Sequence, residues 1–153
     1  MEQLNYTEGL YVGQRWFNKN NIKPIFPFGY GLTYSKFEYS DIKAKMTKEG
    51  LTVTFYITNE SDIDGKAVPM LFITFPDSIG DYPPYIFKGF EKININAGSI
   101  TKATLFADDH ALSYFNIDEN KYVRVKEGII KYYVAENGDP LQTLLQGEID
   151  AAY

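Results

Sequence analysis

The chain of 153 residues contains no cysteine. That excludes disulfides, thiol catalysis and zinc sites built on thiolates. It contains one histidine, His110. A Ser-His-Asp centre must therefore use His110 or do without it. An excess of positive charge is also missing. Against 20 Asp and Glu stand 15 Lys and Arg, for a formal charge of −5 and a sequence pI of about 4.9. Nucleic acid needs a basic face, so it is not the expected partner. No stretch stays apolar for the roughly 18 residues that a membrane helix requires, so no membrane partner is expected. The motifs G-x-S-x-G and H-E-x-x-H are absent, as is a phosphate-binding glycine loop. Met1-Glu2-Gln3-Leu4-Asn5 lacks the basic and then apolar run of a signal peptide. Such a start suits a cytosolic protein or the tail of a longer chain, and the segment that follows favours the second.

What the chain has in quantity is aromatic residues: 16%, with 13 Tyr and 11 Phe. Hydrophobic residues reach 44%, near the globular norm. A domain of this size buries roughly 70% of its unfolded surface, so one domain plus an arm is expected. Nine residues, Phe26-Pro27-Phe28-Gly29-Tyr30-Gly31-Leu32-Thr33-Tyr34, hold four rings, two glycines and a proline. Pro27 removes a backbone donor, and the glycines open conformations closed to other residues. The text predicts an extended, kinked junction. Residues 1–36 show little helical or strand period, beyond a short strand expected at Leu10-Tyr11-Val12 and a turn at Asn18-Lys19-Asn20-Asn21. Two readings stand: an arm lying across another surface, or an arm packed on its own domain. The size of the apolar patch otherwise left bare favours the first.

From Phe37 the pattern turns to strands. Phe37 to Met46 is one. Leu51-Thr52-Val53-Thr54-Phe55-Tyr56-Ile57-Thr58 alternates, with Leu51, Val53, Phe55 and Ile57 facing inward. Val68 to Phe75 is apolar on both faces, as in a central strand, with a bulge expected at Pro69. Ile86 to Ile95 gives one strand or two short ones. Ser99 to Ala107 alternates again. Asp108 caps a helical turn expected to run to Asn116. Tyr122 to Val125 and Ile129 to Ala135 are expected as a hairpin, and Leu141 to Ile149 as the last strand. Seven or eight strands at this spacing predict an all-β sandwich over residues 37–153.

Chemistry-bearing residues are sparse. His110 in Asp108-Asp109-His110-Ala111 reads as a surface histidine in a capped turn. Asp62-Ile63-Asp64-Gly65 resembles a scrap of a calcium loop, but Leu71 stands where an EF-hand needs Glu, so a polar turn is the better reading and no metal is expected. No carboxylate pair sits where one pKa would be raised and the other left low. No catalytic residue and no cofactor are therefore expected. Trp16, Phe17, Tyr82 and Tyr85 could stack on sugar rings, or equally contact a neighbouring domain. Asn5-Tyr6-Thr7 and Asn59-Glu60-Ser61 fit the N-glycosylation pattern and weakly support secretion.

The segment from Tyr6-Thr7-Glu8-Gly9-Leu10-Tyr11 to Val12-Gly13-Gln14-Arg15-Trp16-Phe17, followed by Phe26 to Tyr34, resembles the C-terminal region of family 3 glycoside hydrolases, fungal-type β-glucosidases above all. Pro83-Pro84 and Phe87-Lys88-Gly89-Phe90-Glu91-Lys92 resemble the family's P-P…L-x-G-F-x-K. Ala97-Gly98 and Ala111-Leu112-Ser113-Tyr114-Phe115 follow in the family's order. The resemblance implies a fibronectin type III-like sandwich for 37–153. It also implies that the arm leads out of a preceding α/β domain. In that family the nucleophile and the acid/base residue lie upstream, so no catalytic role carries over to this chain. What carries over is an interdomain face: Gly9, Arg15, Trp16, Phe17, Phe28, Gly29, Tyr30, Gly31 and Leu32. Arg15 could anchor it by an ion pair with a residue outside the chain. The implied partners are the catalytic domains of the same parent chain, in an extracellular enzyme. Oligosaccharide binding and self-association through the arm are the alternatives. Glu127 and Asn137-Gly138-Asp139 depart from the family's usual text.

Overall fold

The computed structural model describes residues 7–153, so the readings at Asn5 and Tyr6 lie outside the described residues. One short helix, α1 (Gln14–Lys19), precedes eleven strands among the described residues. These are β1 (Phe37–Met46), β2 (Gly50–Asn59), β3 (Gly65–Ala67), β4 (Met70–Thr74), β5 (Ile86–Phe90), β6 (Ile93–Ile95), β7 (Ile100–Asp108), β8 (Ser113–Asn116), β9 (Lys121–Arg124), β10 (Ile129–Ala135) and β11 (Leu145–Asp150). Seven strands build two sheets, in the orders β1-β2-β7 and β11-β10-β4-β5. The pairs β3-β6 and β8-β9 stand beside them. All pairings are antiparallel. The fold is an all-β sandwich.

The alternation of β2 does what its period requires. Leu51, Val53, Phe55 and Ile57 are all 0% exposed, and they pack with Ala103 and Leu105 of β7, Leu71 and Ile73 of β4, and Ile130 and Val134 of β10. Successive side chains of a strand point to opposite faces, so one strand supplies the core without breaking its polar outer face. β1 carries a bulge. Its register skips one residue between Ser40 and Lys43, with Asp41 at φ +54.

β4 is buried on both sides. Leu71 and Ile73 face the sandwich core, while Met70 and Phe72 face a second cluster with Tyr85 and Ala135. Pro69 does not bulge this strand, because β4 begins one residue later. The bulge falls on β5 instead: Phe72 pairs with Phe87 and Leu71 with Gly89, leaving Lys88 as the extra residue.

Several expectations need correction. Leu10-Tyr11-Val12 forms no strand: a turn spans residues 7–10, Tyr11 N donates to Glu8 O at 3.0 Å, and α1 follows. Six residues are too few to print a helical period. Asn18 and Lys19 therefore end α1, and the turn follows them. Asp108 does cap a turn, its Oδ1 accepting from Ala111 N at 2.7 Å, but the chain extends again at Ser113 as β8. β8 then takes β9 as its partner, so β9 and β10 form no hairpin. Buried Arg124 ends β9 by donating to Thr47 O at 3.2 Å and pairing with Asp109. Pro140, capped by Asp139, opens a 3-10 turn, which delays the last strand to Leu145.

Asn59, in the tripeptide that fits the N-glycosylation pattern, is 0% exposed. Its Nδ2 donates to Ile63 O at 2.8 Å and Ile95 O at 3.1 Å, and its Oδ1 accepts from Ser61 N at 3.0 Å. The amide is a staple tying β2 to the 61–63 loop and β6. Asn59→Ala leaves those backbone groups unpaired, and each buried orphan costs about 1–3 kcal/mol. Urea unfolding is expected to show a loss of about 3 kcal/mol with the m-value unchanged.

Candidate interdomain face

The arm is fixed at one point. Tyr30 N donates to Pro27 O at 2.9 Å, closing a turn in which Gly29 sits at φ +78. That is the left-handed position of a type II turn, which favours glycine. A Cβ at Gly29 would also collide with the Met70 thioether. Phe28 sets its ring edge against Phe87 at 5.2 Å, and Phe28 O accepts from Gly138 N at 2.6 Å. α1 reaches the same glycine: Asn18 Nδ2 donates to Gly138 O at 3.3 Å. A Cβ on Gly138 would lie 2.6 Å from Gln14 Oε1 and 3.1 Å from Phe28 Cβ. The arm is thus pinned between the outer face of the β4-β5 pair and the 137–139 loop. Farther out, the Tyr11 hydroxyl donates to Asp81, and Lys19 Nζ lies 3.4 Å both from Asp81 Oδ2 and from the centre of the Tyr11 ring. The Tyr11 hydroxyl, with Lys19 behind it, holds the Asp81 carboxyl below the usual carboxylate range.

Past that anchor the arm presents apolar groups to solvent. Ile25 is 90% exposed, Leu32 89% and Tyr34 96%. The exposed rings of Phe26 and Tyr30 lean on each other at 5.1 Å. Two grooves flank them. One, of about 120 Å³, is lined by Phe17, Ile22, Pro24 and Leu141 among others. The other, of about 280 Å³, gathers Gly29, Tyr30, Gly31 and Leu32 against Val68 and Gln142.

The structure therefore brings together Phe28, Gly29, Tyr30, Gly31 and Leu32, with Phe17 on a neighbouring groove. Gly9 is exposed and touches nothing that a side chain would displace. Trp16 is exposed, with its ring set edge-on to Phe17 at 5.4 Å. The proposed sugar-stacking set does not assemble. Tyr85 is 3% exposed and stacked on Phe72 at 4.3 Å, with its hydroxyl 3.0 Å from Thr143 Oγ1. It is a core residue, because a ring following two prolines folded back over the bare outer face of β4. Tyr82 is half-buried against Phe75 at 5.2 Å and lines a cleft of about 440 Å³ with Tyr11, Asp77 and Asp81, which Trp16 does not reach.

Sequence reading missed Gly138 and Lys88. The departure at Asn137-Gly138-Asp139 was the only sign of the first. Nothing marks the second, since its role comes from the β5 bulge. Lys88 Nζ lies 5.0 Å from the centre of the Phe75 ring, and burial pushes its amine down to about 8. Among the described residues, no three His, Cys, Asp or Glu side chains converge as metal ligands.

Residues 67–137 match the model of the fibronectin type III-like domain family. The chain is 32% identical to the probable β-glucosidase D of Aspergillus flavus, aligning over 95% of this chain and 21% of that protein. It is 36% identical to the thermostable β-glucosidase B of Acetivibrio thermocellus over 75% of this chain and 16% of that one. It superposes on β-glucosidase D2-BGL of Chaetomella raphigera with a TM-score of 0.88 at 31% identity, covering 97% of this chain and 23% of that one. This chain carries the C-terminal fibronectin type III-like region of family 3 β-glucosidases. It spans about a fifth of the length of the curated relatives it matches. Within such enzymes a fibronectin type III-like domain is a non-catalytic module.

The anchor can be tested by contrasting two glycines of the junction. Gly29→Ala meets both a positive φ, which costs about 1–2 kcal/mol, and the Met70 side chain. Gly31→Ala meets open space at an ordinary φ. Trypsin is expected to cut at Lys23 about tenfold faster in Gly29→Ala, as 1–2 kcal/mol of opening implies, and at an unchanged rate in Gly31→Ala.

Lys88 generates a pH dependence. Its folded pKa is depressed to about 8 from an ordinary 10.5. Between those values the unfolded chain binds more protons, so this residue's contribution to stability rises with pH. Tyr39 and Tyr85, both raised by burial, act in the opposite sense as tyrosines ionise. The stability of the native chain minus that of Lys88→Met is therefore expected to climb from pH 8 to 10, measured by denaturant unfolding at each pH.

Proposed function

We propose that this region acts as a brace, clamping its arm and sandwich against the catalytic portion of a β-glucosidase that hydrolyses terminal β-glucosyl residues outside the cell. The observation that carries the reading is the division of the arm. Its base is pinned to the sandwich through Phe28, Gly29 and Gly138, while Ile25, Leu32 and Tyr34 stand almost wholly in solvent. Monomers seldom leave such a patch bare, and rings presented from a rigid base suit a dry contact. The match to about a fifth of longer β-glucosidases supports a covering surface contributed by the rest of such an enzyme. Trp16, Phe17 and Tyr30 would seat in the same contact. The arm of residues 1–36 and the sandwich of 37–153 then work as one unit with two tasks, contact and support.

A second reading, oligosaccharide binding, rests on the cleft that holds Tyr11, Tyr82, Asp77 and Asp81. Aromatic walls beside carboxylates suit the faces and hydroxyls of sugar rings. Self-association through the exposed arm is the third.

The test adds this chain to Aspergillus flavus β-glucosidase D cut off ahead of the segment that this chain matches. The brace reading expects co-sedimentation and a raised melting temperature of the truncated enzyme, both lost in Phe26→Ser/Leu32→Ser/Tyr34→Ser. These side chains are exposed, so the triple variant is expected to keep the melting temperature of the free chain. No association with the truncated enzyme overturns the brace. A homodimer of this chain moves the third reading ahead. Binding heat with cello-oligosaccharides that Tyr82→Ala removes moves the second ahead.

A further inference from the structure

The glycine that pins the arm follows an asparagine, in the stretch that departs from the family's usual text. Asn137-Gly138 is the one Asn-Gly pair of the sequence. Asparagine is thermolabile, and a following glycine has no side chain to keep its nitrogen away from the carboxamide. In this fold the groups that would react are all engaged. The nucleophile, Gly138 N, donates to Phe28 O at 2.6 Å. Asn137 Nδ2 donates to Gln142 Oε1 at 3.0 Å, and Asn137 Oδ1 accepts from Asp139 N at 2.9 Å. Gly138 O accepts from Asn18 Nδ2 of α1 at 3.3 Å. Both partners of the Gly138 backbone thus belong to the arm. Asn137 also lines the groove of about 280 Å³ beside Gly29 and Gly31, so water has a route to its side chain.

We propose that Asn137-Gly138 is a self-modification site gated by the arm. While Phe28 O holds the Gly138 N–H, the pair is inert. When the arm lifts, Gly138 N gives its proton to water and attacks Asn137 Cγ. The new N–Cγ bond closes a cyclic imide, the Cγ–Nδ2 bond breaks, and Nδ2 takes a proton from water and leaves as ammonia. Water then opens the imide at one of its two carbonyl carbons, giving Asp or isoaspartate at 137. Neither product restores the pin. A carboxylate in place of the Asn137 amide leaves Gln142 Oε1 without its donor, because Gln142 Nε2 is already committed to Asp139 Oδ2 at 2.9 Å. The added charge also stands between Glu136 and buried Asp139, where like charges repel. Isoaspartate lengthens the backbone ahead of Gly138 and displaces the N–H that meets Phe28 O. One release of the arm is thereby made permanent. The site does not rest on the brace reading.

The test follows one nitrogen by two measurements on the full chain. Conversion of Asn137 is followed by peptide mass spectrometry in mildly alkaline buffer. Exchange of the Gly138 amide hydrogen is followed by NMR, since it removes the same proton. Both rates scale with the local opening constant. Gly29→Ala strains the turn of the arm and is expected to speed both about tenfold, while Gly31→Ala leaves both unchanged. Phe28→Ala keeps the carbonyl but removes the ring contact with Phe87, and is expected to speed both as well. Asn59→Ala weakens the sandwich away from the arm and is expected to leave both at the native rate. Rates that Gly29→Ala and Phe28→Ala leave unchanged overturn the gate. A rise of equal size in Asn59→Ala also overturns it, because the opening is then global. In urea the unfolded chain is expected to convert at least about tenfold faster than the folded one, and equal rates overturn the protection. The isoaspartate form, once separated, is expected to exchange its Gly138 amide as fast as Gly29→Ala does. Exchange as slow as in the native chain overturns the permanence of the release.

Discussion

Phe72 stacks on Tyr85 with the ring centres 4.3 Å apart and the planes 14° from parallel, and Phe87 meets Phe72 edge-on at 5.7 Å. The structure depends on this small second core. A strand buried on one face needs only its partner sheet. β4 is apolar on both, so something must cover Met70 and Phe72 on the outside. The 82–85 loop covers part of that face by folding Tyr85 inward, with its backbone N donating to Thr74 Oγ1 at 3.3 Å. The arm covers more of it, through Gly29 over Met70 and Phe28 over Phe87. Covering the outer face of one strand therefore fixes both the loop conformation and the point where the arm is pinned.

That requirement also explains how far each part could be read from residues alone. The inward set of β2 was legible because a period of two is local, and local pattern decides which face is buried. The double-sided character of β4 was legible too, from Val68 to Phe75. What covers the outer face was not. Tyr85 looked like a free ring beside two prolines, and nothing within the 82–85 text says that it turns back 13 residues onto Phe72. The partner of β9 was missed for a similar reason. A glycine after a charged pair reads as a hairpin turn, but Arg124 takes its direction from Asp109 and Thr47, far away in sequence.

The junction shows the same divide. Gly29 and Gly31 look alike in Phe26 to Tyr34, and resemblance alone puts both on the face. Their surroundings separate them. Gly29 carries a positive φ and meets Met70, whereas Gly31 has open space around it. Sequence cannot rank two glycines whose difference lies in what packs against them. Gly138 makes the point from the other side. It sat in a stretch that departs from the family's usual wording, yet it donates to Phe28 O and leaves no room for a Cβ beside Gln14.

One cost of this arrangement falls on a cation. Lys88, the extra residue of the bulged edge of β5, lies against the Phe75 ring with no ion pair among the described residues. A sandwich that stood alone would gain by replacing Lys88 with an apolar or neutral residue, since a desolvated charge without a partner is paid for in stability. The arm's exposed Ile25, Leu32 and Tyr34 present the same case in apolar form. Both features are unfavourable in the free chain. An apolar covering surface would take Ile25, Leu32 and Tyr34 out of water, so the second penalty is one that a partner relieves.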